Sequence, residues 1–215
     1  MNIEKFEQQD REKQSKIIEA GITEFSEKSY SDSSTDQIVQ SAGISKGLLF
    51  YYFGSKKNFY IYCLSQALER IIEPTNIVEG DFYHVLFSTM NQKMQLCQQY
   101  SLETRFVNMA SRELAHEVSQ SKTDLFAKYM LQTKKASSDT MERAISSLSL
   151  KVTDVSKTKE GLLMYVNTLM SHYLRIHQDN PDEFFNNAQK IQLEIKTYID
   201  LMLYGIIKEE SDESK

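Results

Sequence analysis

The chain has 215 residues, a formal net charge of -5, 40% hydrophobic residues and 26% charged residues. That length allows one or two modest domains with a sizeable core, and the acidic balance excludes a global basic footprint, so any contact with a nucleic acid must come from a local patch. The opening MNIEKFEQQDREKQSK is too polar for a secretory signal, no apolar run reaches the ~20 residues of a membrane helix, and Cys63 and Cys97 form no CxxC pair and read as free thiols, all of which points to the cytoplasm.

Seven glycines and two prolines are few for this length, and good helix formers abound, so the chain is predicted to be all-α. A first helix is expected from about Asp10 to Lys28, with Ile17, Ile18, Gly21, Ile22 and Phe25 on one inward stripe. The cluster Ser31, Ser33 and Ser34 supplies N-cap candidates for a short second helix, TDQIVQSA, which buries Ile38, Val39 and Ala42; with Ser33 as the cap, Asp36 falls at the third helical position. Gly43 ends that helix as a left-handed residue. Ser45 caps a third helix from Lys46, and Gly54 stops it. Ser55 caps a fourth from Lys56 to about Glu73, ahead of a break at Pro74. Longer helices are expected at about 82–100, 101–118, 123–147, 156–177 and 182–208, with a disordered charged tail over 209–215.

The segment GISKGLLFYYFGSKK, Gly43 to Lys57, concentrates the chemistry. Two short helices joined by a tight Gly-containing turn make a helix-turn-helix. In the third helix Leu49 and Phe53 are four apart and point inward with Ile38, Val39, Ala42 and Ile44. Gly47, Leu48 and Tyr51 then fall on the opposite face, flanked by Phe50 and Tyr52. That face has the chemistry of a groove reader. Gly47 permits close backbone approach, Leu48 and Phe50 suit thymine methyls, and Lys46 suits guanine N7 and O6. The Tyr51 and Tyr52 hydroxyls, and Lys56 at a helix start, suit phosphates. From Gln37 to Leu68 there are three lysines and no acid, a locally positive window.

The run Ser33, Ile38-Val39, Ala42-Gly43-Ile44-Ser45, Gly47-Leu48-Leu49-Phe50, Tyr51-Tyr52, Phe53 and Ser55-Lys56 has no gap, and IIEAGITEFSEKSY precedes it. Over about residues 10–65 it resembles the DNA-binding domain of the TetR family of bacterial transcriptional regulators. Leu48 stands where a threonine is frequent and Phe50 where a tyrosine is frequent, which removes one phosphate-directed hydroxyl. The resemblance implies a DNA-binding set of Ser33, Ser34, Ser45, Lys46, Gly47, Leu48, Phe50, Tyr51, Tyr52 and Lys56. It implies a helix-turn-helix domain over 1–55 and a helical effector-binding and dimerisation domain over 56–208.

In the last predicted helix Ile191, Ile195, Tyr198 and Met202 recur at spacings of three and four, and the preceding helix shows Leu162, Val166, Leu169 and Tyr173. Apolar coverage this wide calls for burial on more than one side, against a second copy or within a monomer core. The resemblance favours a two-fold homodimer interface built from these two helices. Phe82, Phe87, Met90, Met94, Phe106, Met109, Phe126, Tyr129 and Met130 are candidates to line a deformable apolar pocket for a small-molecule effector, or to form plain core.

His172 and His177 are splayed by about 140° on a helix, and His84 and His116 lack partners at ligand spacing, so no metal or other cofactor is expected. No GxSxG, HExxH or Gly-rich phosphate loop is present, which argues against an enzyme. The expected function is a ligand-responsive, dimeric transcriptional regulator: a repressor on a palindromic double-stranded DNA operator, released by an effector. An activator or coactivator on the same fold, and a helical interaction protein that binds no DNA, are the alternatives.

Overall fold

Serine caps, apolar residues at helical spacing and glycine stops translate directly into local structure. The computed structural model describes residues 2–72, 78–148, 154–176 and 181–205. Among the described residues every regular element is an α-helix. In chain order they are α1 (Ile3–Glu7), α2 (Arg11–Glu27), α3 (Thr35–Ala42), α4 (Lys46–Phe53), α5 (Lys56–Ile71), α6 (Phe82–Gln99), α7 (Ser101–Arg112), α8 (His116–Ser146), α9 (Val155–Ile176), α10 (Pro181–Asn186) and α11 (Ala188–Tyr204). The predicted break at Pro74, His177 and the tail over 209–215 lie outside the described residues. None of these helices is long and apolar enough to cross a membrane.

Three boundaries differ from the sequence reading. α1 was not expected, because a five-residue helix with one buried anchor, Phe6, carries no periodic signal. The helices predicted at 101–118 and 123–147 are divided instead at residues 113–115. There Glu113 is extended (φ -62°, ψ 126°), and its carboxylate accepts from the backbone N–H of Ala115 at 2.8 Å and of Tyr30 at 2.6 Å. A half-buried carboxylate bond to a distant loop sets this corner, and no glycine or proline announces it. The single helix predicted over 182–208 is interrupted at Asn187, whose side-chain amide donates back to the Glu183 carbonyl at 2.9 Å, the local competition with helix that favours Asn outside helix interiors.

The chain divides into two compact units, Met1–Thr75 with Gln92–Ser137, and Asn76–Asn91 with Ser138–Lys215. In the first, α2, α5 and α7 pack on one another. Phe25, Tyr60 and Phe106 meet ring to ring, with centroids 4.9–5.5 Å apart. α2 and α5 approach closely at Gly21, where a Cβ would lie 2.7 Å from the Cys63 sulfur and from the Phe59 ring. Cys63 is fully buried there, and burial pushes its thiol well above the usual range. Arg70 of α5 pairs with the buried Glu103 of α7 at 2.5 Å, and the Tyr129 hydroxyl of α8 donates to Glu69 at 2.8 Å. In the second unit α9 packs on α11. The Tyr173 hydroxyl donates to Glu194 at 2.8 Å, and Asp200 accepts from both Lys196 and Tyr83.

The residues proposed for the pocket divide between core and surface. Phe82, Met90, Met94, Phe106 and Tyr129 are buried, and Phe87, Met109 and Phe126 are half-buried. Phe106 is stacked on Phe25, so it is core of the first unit and not a pocket wall. Met130 is 69% exposed, because this part of α8 turns it outward, so it is not part of the core. The pairing stripe divides too. Leu162, Val166, Tyr173, Ile191 and Ile195 are buried in the single chain and Leu169 is half-buried, whereas Tyr198 and Met202 are exposed. The buried five are committed to the protomer's own interior and cannot also face a second copy.

Candidate nucleic-acid interface

The site is built from caps inward. Ser34, not Ser33, caps α3: its Oγ accepts from the Gln37 N–H at 3.4 Å. Ser33 is buried and donates to the Tyr30 carbonyl at 2.8 Å, so it is a loop fastener that solvent, and hence DNA, does not reach. Gly43 follows α3 at φ 66°, a conformation that suits glycine, and the Ile44 N–H returns to the Val39 carbonyl at 3.0 Å. Ser45 caps α4 by accepting from the Leu48 N–H at 3.2 Å, and Ser55 caps α5 by accepting from the Asn58 N–H at 3.1 Å. Each cap is worth ~1 kcal/mol. Together they hold α3 and α4 as rigid neighbours across a three-residue turn.

α4 divides its side chains between two sides. Leu49 and Phe53 are buried as expected. Gly47 is exposed, with open space where a Cβ would stand, and Tyr51 is 46% exposed. Leu48 and Phe50 are half-buried, and Leu48 leans on the core. Lys46 is exposed beside Asp36 of α3 at 2.9 Å, a surface pair that solvent screens and that a phosphate or a base edge can displace.

Tyr52 is a correction. It is buried to 4%, because Phe6 of α1 covers it with ring centroids 5.4 Å apart, so its ring belongs to the core and is not a phosphate arm. Lys56 is a second correction. Its ammonium donates to the Ser33 carbonyl at 2.6 Å and lies 4.8 Å from the Tyr30 ring centroid. Burial lowers its pKa, opposed by the carboxylates of Glu117, Glu24, Asp32 and Glu113. Burial and Glu117 push the Tyr30 hydroxyl up to about 12. Lys56 therefore fastens the loop that leads into α3. Lys56→Met should lower stability by about 1 kcal/mol, read from a urea melt. Unchanged stability with DNA affinity falling equally on all sequences would return Lys56 to the phosphate set.

The sequence reading missed the contribution of α1. The Asn2 backbone N–H donates to the Tyr52 carbonyl at 2.8 Å, and its side-chain amide donates to the Tyr51 carbonyl at 2.9 Å. The Lys5 ammonium donates to the Tyr51 hydroxyl at 3.0 Å, which raises the lysine's pKa. The Asn58 amide reaches the Phe53 carbonyl at 2.9 Å, and the Gly54 N–H reaches Phe50 at 2.8 Å. All four carbonyls that the end of α4 leaves without helical partners are thereby satisfied. A short helix finished in this way presents its outer face without fraying.

A sequence model described as "Bacterial regulatory proteins, tetR family" matches residues 17–63, from α2 to α5. The biofilm operon icaADBC HTH-type negative transcriptional regulator IcaR of Staphylococcus aureus is 33% identical over 101 residues, covering 44% of this chain and 50% of that protein. The HTH-type transcriptional regulator RutR of Escherichia coli is 36% identical over 70 residues, 33% of each chain. The chain thus spans half the length of the first of these relatives and a third of the second. A TetR family regulator from Chloroflexus aurantiacus shares the fold with a TM-score of 0.54 at 21% identity, over 97% of this chain and 100% of that one. PfmR from Thermus thermophilus does so with a TM-score of 0.52 at 18% identity, over 93% and 100%. The matched residues are those that build the capped α3–α4 pair: residues 17–63 carry the sequence pattern of bacterial regulatory proteins of the tetR family, and the helical fold is similar to that of the solved TetR family regulators.

Proposed function

We propose that the chain is a dimeric transcriptional repressor that lays α4 in the major groove of a palindromic operator and leaves it when a small-molecule effector binds. The observation that carries this reading is the outer side of α4. Gly47 offers bare backbone, and Leu48, Phe50 and Tyr51 stand beside it on a helix held at both ends by caps. Such a face suits apolar contact with thymine methyls and hydroxyl contact with phosphate. Repression is the sense given by the name of IcaR, a negative regulator. Pairing is supported by outward apolar residues of the second unit: Met164 on α9, and Leu193, Tyr198, Leu201 and Met202 on α11, each at least 42% exposed. Surface of this kind is expected at an interface between protein chains.

The test is selection from a random duplex pool with the purified chain, followed by a reporter driven through the recovered sequence. The expected product has two-fold symmetry with half-sites about 34–36 Å apart, and deleting the gene raises reporter output. A fall in output would make the protein an activator, and no enriched sequence would remove the DNA-binding reading.

A further inference from the structure

α1 lies outside the segment that the family pattern matches, which begins at residue 17. It is nevertheless built into the groove-reading helix. Phe6 is fully buried among the rings of Phe53, Tyr52 and Tyr62, at 4.9, 5.4 and 5.7 Å. That anchor and the two Asn2 bonds to the end of α4 fix where Lys5 stands. Its ammonium bonds the Tyr51 hydroxyl at 3.0 Å and lies 5.6 Å from that ring's centroid. Tyr51 is the exposed residue one turn after Gly47, so this cation is held at the rim of the surface assigned to DNA.

We infer that Lys5 is a DNA-phosphate contact, carried to the groove edge by α1 and oriented by Tyr51; this rests on the proposed reading of α4. Phosphates line the groove edges and position a protein without specifying sequence. An ammonium has three donors, and the Tyr51 bond of this exposed lysine uses one, leaving the others for phosphate oxygens. Placement and not composition makes the case. Glu4 and Glu7 keep α1 from being basic, but the Glu7 carboxylate accepts from the Tyr62 hydroxyl on α5 at 3.5 Å. With the cation already held, little side-chain freedom remains to be lost on binding.

The experiment is a salt titration of duplex affinity for the wild-type chain, Lys5→Gln and Lys5→Arg, on the selected sequence and on a scrambled one, with thermal melts beside it. Lys5→Gln should lose about 3- to 10-fold in affinity on both duplexes and lower the slope of log affinity against log salt by about one. Lys5→Arg should restore the slope. A wild-type slope retained by Lys5→Gln overturns the inference while leaving the α4 reading intact. A wild-type chain without salt-dependent duplex binding overturns both. A merely structural role for Lys5 would move the melting temperature and leave the slope alone.

Discussion

Gly47→Glu should make the protein more stable and unable to hold its operator. Gly47 is the second residue of α4, and nothing lies within 4 Å of the place its Cβ would take. Glycine inside a helix costs about 0.5–1 kcal/mol relative to alanine. A carboxylate in the first turn also suits the positive end of the helix. The melting temperature should therefore rise. The same carboxylate would face phosphates and fill the space that lets the backbone approach base edges. A like charge placed in a complementary interface costs several kcal/mol, so affinity should fall by roughly 100-fold or more. The pairing of a stability assay with a binding titration is informative because the two readouts move in opposite directions. Loss of binding with loss of fold would mean that this side of α4 is packed against the protein and is not presented to a ligand.

Phe53→Ala is the complementary case, a change on the inner side of the same helix. Phe53 is fully buried, with ring centroids of Phe59, Phe6 and Tyr62 at 4.7, 4.9 and 5.2 Å. It joins α1, α4 and α5 at a single point. Removing such a ring leaves a cavity and costs about 3–5 kcal/mol, a large share of the ~5–15 kcal/mol that holds an ordinary domain. Urea denaturation followed by circular dichroism should show a large drop in midpoint, with DNA binding lost as a consequence. Tyr51→Ala, two residues earlier and on the exposed side, should shift that midpoint far less. Equal shifts for the two variants would contradict the division of α4 into an inner and an outer face.

What the sequence made legible follows from local chemistry. Ser45, Ser55, Gly43 and Gly54 act within a few residues of themselves, so the bounds of α4 and the turn before it could be read directly. Leu49 and Phe53 obeyed helical spacing. Tyr52 did not, because the helix wheel leaves it at the boundary and the deciding neighbour, Phe6, comes from a helix too short to predict. Lys56 looked like a phosphate ligand from its place at a helix start, yet the Ser33 carbonyl 23 residues earlier holds it. Ser33 and Ser34 are equivalent as cap candidates in composition, and only the path of the loop from Tyr30 chooses Ser34. The corner at Glu113 has the same origin, a carboxylate bonded to the distant Tyr30 N–H. In the second unit the apolar stripe was visible, but a stripe does not say which side is inner core. Burial assigns Ile191 and Ile195 to the protomer and leaves Tyr198 and Met202 outward.

Entry of the outer side of α4 into the major groove is tested most directly by dimethyl sulfate interference on the selected duplex. The reagent methylates guanine at N7 in the major groove and adenine at N3 in the minor groove, so one experiment interrogates both. Blocked binding from guanine N7 methylation in two patches about one helical turn apart is the predicted result. Interference from adenine N3 alone, or from neither position, would contradict it.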